Sequence, residues 1–130
     1  MKNLLRLEEL AQFLLCLGCM VALKSPWWCY LLLLLGPDVG MLGYLLSPSV
    51  GAFSYNLFHH KGLALLITLI GGYLTTMVII GYGGWAGIGF LLGGLILYGH
   101  ASLDRIFGYG LKFGDSFQHT HLGWIGKGRK

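Results

Sequence analysis

His100 and Asp104 stand four positions apart in an apolar stretch, a spacing that puts both on one face of a helix. Asn56 precedes His59 and His60 by three and four positions, which makes a second face of the same kind. Asp38 follows Gly36-Pro37, where a missing backbone donor interrupts a helix, so a carboxylate sits at a break. His119-Thr120-His121 sets two imidazoles on one side of the chain if that segment is extended. Imidazole and carboxylate are good ligands for Zn, Mn or Fe, and a helix face presets their geometry. The same pair also serves as a ring and the carboxylate that orients it. The candidate metal ligands are therefore Asp38, His59, His100, Asp104 and His121, with Asp38, His100 and Asp104 as candidate catalytic groups. Each residue also has a plainer role. His100 with Asp104 would be a buried pair holding helices in register. Asp104 would pair with Arg105, and His59-His60 beside Lys61 would be a wet basic edge.

The elements that must position these groups are membrane helices. Only 11% of the residues are charged, against 55% hydrophobic, and a soluble domain carries roughly 25% charged residues. From Gly62 to Leu103 there is no Asp, Glu, Lys or Arg, and from Ser25 to His60 there is only Asp38. A span needs about 20 mostly apolar residues. The pattern predicts an all-α polytopic bundle, a single integral membrane domain over 1–130, with about four spans: 4–23, 27–46, 62–82 and 85–107. The second span is broken near Gly36-Pro37. A short helix covers 48–60, opened by Ser47-Pro48, and an irregular tail covers 108–130. Gly83/Gly87 and Gly89/Gly93 recur at the four-residue spacing that lets helices approach closely in lipid.

Four spans would put Lys2, Arg6, Lys61, Arg105, Lys112, Lys127, Arg129 and Lys130 on one side and only Lys24 on the other. The positive-inside rule assigns that side, with both ends of the chain, to the cytoplasm. It also brings the ionisable groups to one leaflet. Cys16 and Cys19 form a CxxC inside an apolar helix, which reads as a small, inert, buried pair; Cys29 leaves the count odd. No phosphate loop, nucleotide fingerprint, serine elbow or HExxH is present. The basic residues lie at span ends, so the expected partner is the lipid bilayer rather than nucleic acid.

The stretches "LLGPDVGMLGYLLSPSVGAFSYNLFHH" and "HASLDRIFGYGLKFGDSFQHTHLG" resemble a family of small bacterial membrane proteins known only as a domain of unknown function. The resemblance covers about Trp28 to Gly123 and implies an inner-membrane protein with no established activity. It matches Pro37-Asp38, Tyr55-Asn56, His59, His100, Asp104-Arg105, Gly108-Tyr109-Gly110 and Thr120-His121. Tyr55, Asn56, Arg105 and Thr120 thereby join the site as supporting residues. The family pattern is often acidic at the place of His119, which leaves His121 the firmer half of that pair, and His60 and Lys61 fall at variable places.

These features lead to an expected membrane-embedded metal-dependent enzyme of hydrolase type, acting on a lipid or other amphiphile at the cytoplasmic leaflet. A second expectation is a small proton- or ion-coupled transporter, suggested by Asp38 at a broken helix. It would require oligomers, formed through the glycine-rich faces. A third is a non-catalytic membrane assembly partner using the same faces.

Overall fold

A computed structural model describes residues 1–81 and 86–126. The expected turn over 81–84 and the Lys127–Lys130 cluster lie wholly or partly outside these residues, as does Gly83. The chain forms an all-α bundle of α1 (Lys2–Ala22), α2 (Trp27–Leu35), α3 (Pro48–His59), α4 (Lys61–Ile79) and α5 (Ala86–Phe107). A 3₁₀ helix over Gly36–Leu45 follows α2 directly, and a two-stranded antiparallel hairpin, β1 (His119–Thr120) and β2 (Gly123–Trp124), lies in the tail.

Three of these units, Trp27–Leu45, Lys61–Ile79 and Ala86–Phe107, are long and apolar enough to cross a membrane. Only 11% of the most apolar window of α4 is buried, so its leucines and isoleucines face outward. Lipid, not water, tolerates such a surface, and the chain is a membrane protein. α1 has 21 residues but carries Lys2, Arg6, Glu8 and Glu9 in its first half. It packs along α5, one of these three units.

Each break has a local cause. α1 stops where Lys24 takes a left-handed φ of 52°, with the Ser25 N–H returning to the Met20 carbonyl. Pro37 cannot continue the α-helical ladder, and the chain tightens to 3₁₀ geometry. Ser47 caps α3 by accepting the Val50 N–H at 3.2 Å. His60 is extended, and its Nδ1 caps α4 by accepting the Leu63 N–H at 3.1 Å. His60 is thus spent on a helix start.

α5 is the central helix. It runs antiparallel to α1, with Glu9 beside Arg105 and Cys16 beside Gly99. It also runs antiparallel to α4, with Gly71 against Leu91 and Gly87 against Thr75. The core between α1, α2 and α5 contains Cys16, Met20, Cys29, Leu33, Leu95 and Ile96. All three cysteines are free thiols.

The four-residue spacing selects only some of the glycines that seat neighbouring helices. Gly87 does pack on α4, but among the described residues nothing lies within 4 Å of where a Cβ would sit on Gly89 or Gly93. A Cβ on Gly94, in contrast, would lie 2.5 Å from the Thr68 backbone nitrogen. Gly94→Ala is therefore expected to lower stability by about 1–3 kcal/mol through overpacking. Gly93→Ala should be neutral or slightly stabilising through helix propensity. Denaturant titration of both variants in one detergent checks the pair.

Candidate metal centre

Two helix breaks and α5 build the site. Pro37 has no N–H, so the Leu33 carbonyl one turn earlier has no helical donor. His100 takes that place: its Nδ1 lies 2.9 Å from the Leu33 oxygen. This contact requires α2 to approach α5 closely. Gly99 permits it, since a Cβ there would meet Leu33 Cδ1 at 2.7 Å. His59 ends α3, and its Nδ1 lies 2.8 Å from the Tyr55 carbonyl. A carbonyl only accepts, so both imidazoles carry their proton on Nδ1 and present a bare Nε2.

The two Nε2 atoms are buried, and among the described residues neither has a hydrogen-bond partner. They face two carboxylates. His59 Nε2 is 3.2 Å from Asp104 Oδ2 and 3.8 Å from Asp38 Oδ1. His100 Nε2 is 3.3 Å from Asp38 Oδ1 and 3.8 Å from Asp104 Oδ1. One ligand atom from each of the four residues falls within 4.8 Å of all the others. A tetrahedral ion with bonds of 2.0–2.2 Å holds its ligand atoms roughly 3.3–3.6 Å apart. The contacts bracket that spacing, so the donor set fits a divalent cation.

The supporting contacts match what a metal site needs around its ligands. The Tyr55 hydroxyl donates to Asp104 Oδ2 at 2.5 Å. Its ring stacks on His59, with centroids 3.7 Å apart and planes 11° from parallel. Asp104 is thus fixed by a phenol and His59 by a ring and a carbonyl. Asp38 differs, with a side chain 39% exposed against 3% for His59 and 2% for His100. The open side of the site is the Asp38 side.

The remaining expected residues lie elsewhere. His121 Nδ1 accepts the Leu111 N–H at 2.8 Å, outside the group. Burial and the nearby Arg105 guanidinium push its ring below the ordinary histidine value. His119 stacks on Trp124 with planes 1° apart and bonds Asp115 at 2.8 Å. The two histidines do not act as a pair, because the chain turns between them: Thr120 Oγ1 donates to the Gly123 carbonyl at 2.7 Å. Arg105 turns to Glu9 at 3.6 Å rather than to Asp104.

Asn56 ties the tail down. Its Nδ2 donates to the Lys112 carbonyl at 2.8 Å, and its Oδ1 accepts the Lys112 N–H at 2.6 Å. Lys112 is a residue that spacing arguments missed. It is buried, it donates to the Phe117 carbonyl, and its Nζ lies over the Phe117 and Tyr55 rings. Burial pushes its ammonium below the ordinary lysine value, against the opposing pull of Asp104. Its sequence signal was only a lysine among aromatics, which reads equally well as a membrane-edge charge. Glu9 was also missed; it pairs with Lys61.

Fold and site together define a helical membrane protein with a buried two-histidine, two-aspartate cluster. The chain belongs to the family described as "Domain of unknown function (DUF4260)", whose profile matches residues 2–125. No curated protein and no solved structure matches it.

Tyr55→Phe removes the donor to Asp104 without emptying the stacking position. A hydrogen bond to a charged group contributes about 1.5–3 kcal/mol. A loss of stability in that range is expected on denaturant titration, with helix content by circular dichroism unchanged.

Proposed function

We propose that this protein is a metal-dependent enzyme of hydrolase type, embedded in the bacterial inner membrane and acting on a lipid or other amphiphile at the cytoplasmic leaflet. The observation that carries the reading is the pair of buried, partnerless Nε2 atoms facing Asp38 and Asp104. A buried imidazole nitrogen without a donor is costly unless something electrophilic occupies the space before it. A divalent cation such as Zn, Mn or Fe meets that need. His59, His100 and Asp104 would hold it, and Asp38, on the open side, would be the exchangeable ligand or the acid–base group. A bound ion would supply the water nucleophile by lowering its pKa toward neutrality. Asp38 would take the proton that water loses on attack at a carbonyl or phosphoryl centre and return it to the departing group.

The amphiphile and the leaflet rest on position. The cluster lies toward the end of the bundle that carries Lys2, Arg6, Arg105 and Lys112. The positive-inside rule assigns that end, and both chain ends, to the cytoplasm. Lipid meets the bundle directly along the outward-facing apolar surface of α4.

A second reading is proton transfer for coupled transport. The chain Tyr55–Asp104–His59, with His100 and Asp38, is a continuous run of proton-exchanging groups ending at a helix break.

Metal analysis of detergent-purified protein separates the two. After reconstitution with Zn, Mn or Fe, about one ion per chain is expected. His100→Ala and Asp104→Asn should each lose it. Asp38→Asn should retain more metal but lose hydrolysis of model esters. Wild-type protein that binds none of the three metals would overturn the enzyme reading and leave proton transfer.

A further inference from the structure

Lys2, Arg6 and Arg105 converge at the tail end of the bundle, where they line a cavity of about 500 Å³ together with Glu9 and His121. α1 supplies Lys2 and Arg6 from its first turns, and α5 supplies Arg105 from its last. Glu9 is the acid in this lining, and it is already engaged by Lys61 and Arg105. Positive charge therefore exceeds negative charge around the cavity. His121 adds a neutral donor: its Nδ1 accepts the Leu111 N–H, so its proton sits on Nε2.

The rest of the wall is apolar, with Leu5, Phe107, Leu122 and Trp124 contributing. Phe107 is 69% exposed at the end of a membrane-crossing helix, so the apolar wall continues toward lipid. Guanidinium forks match phosphate oxygens bidentately. Arg105, in the last turn of the Ala86–Phe107 span, sits at the depth of headgroups. A free inorganic anion would engage the cations and leave the apolar wall bare. An amphiphilic phosphate engages both.

We propose that this cavity binds the phosphate-bearing headgroup of an anionic membrane lipid, with Arg6 and Arg105 on the phosphate and Leu122 and Trp124 along the apolar part of the lipid. The site is separate from the histidine–aspartate cluster: Asp104 and Arg105 are successive helix residues, about 100° apart around α5. It does not depend on the enzyme reading.

Native mass spectrometry of the full chain, released from phosphatidylcholine nanodiscs containing graded phosphatidylglycerol, tests it. The expected result is one phosphatidylglycerol retained in preference to phosphatidylcholine. Arg6→Gln should weaken retention about tenfold, the loss of one charge-assisted contact. Lys2→Gln should weaken it less. Both residues are exposed, so neither change threatens the fold. Metal content measured on the same samples should be unchanged, which keeps this result distinct from any failure of the metal centre. Equal retention of the two lipids would overturn the proposal. So would indifference to Arg6→Gln, or saturation by inorganic phosphate with no preference between the lipids.

Discussion

The hydrogen bond from His100 to the Leu33 carbonyl is the contact on which the site depends. It exists because Pro37 has no proton to give that carbonyl. This one position thus does three things at once. It opens an acceptor inside an apolar helix, fixes the tautomer of a histidine on another helix, and sends the chain into the 3₁₀ run that carries Asp38. Gly99 allows α2 and α5 to come close enough for the bond to form. In lipid an unmet carbonyl has no water to turn to, so the proline and the histidine answer each other's cost.

The same low-dielectric setting explains why the cluster needs charge balance. The carboxyl groups of Asp38 and Asp104 stand beside two buried ring nitrogens that no described donor meets. A bound dication would balance the carboxylates and engage the ring lone pairs together. Tyr55 strengthens the arrangement from α3, donating to one ligand and stacking on another. The tail packs against the same helix: Asn56 grips the Lys112 backbone, and Lys112 Nζ lies over the Tyr55 ring.

Much of this was legible because the background is so apolar. In a chain where Gly62 to Leu103 holds no charged residue, His100 and Asp104 stand out at helical spacing, and Pro37 marks its own break. Asp38, His59, His100, Asp104 and His121 were legible as one candidate set; the fold brings ligand atoms of the first four within 4.8 Å of one another and leaves His121 outside. The short helix after Ser47-Pro48 was legible for the same reason, since Ser and Pro at those positions have few other uses. What was not legible rests on backbone partners and on packing register. The Leu33 and Tyr55 carbonyls carry no residue-type signature. His119 and His121 look like a ligand pair until the Thr120 turn separates them. In a glycine-rich helix several registers share the four-residue spacing, and only the fit against Thr68 and Thr75 selects Gly94 and Gly87 over Gly89 and Gly93. The tail reads as irregular because its order comes from contact with Asn56, sequentially distant, rather than from its own composition. The charges in the first half of α1 carry no sign of their partners in the sequence; Glu9 meets Lys61 and Arg105 only in the fold.

X-ray absorption spectroscopy at the zinc edge of the reconstituted protein counts the atoms around the ion. A first shell of about two imidazole nitrogens and two oxygens at roughly 2.0–2.2 Å is expected, with the outer scattering that imidazole rings produce. A shell of oxygen alone, or one containing sulfur, would contradict it.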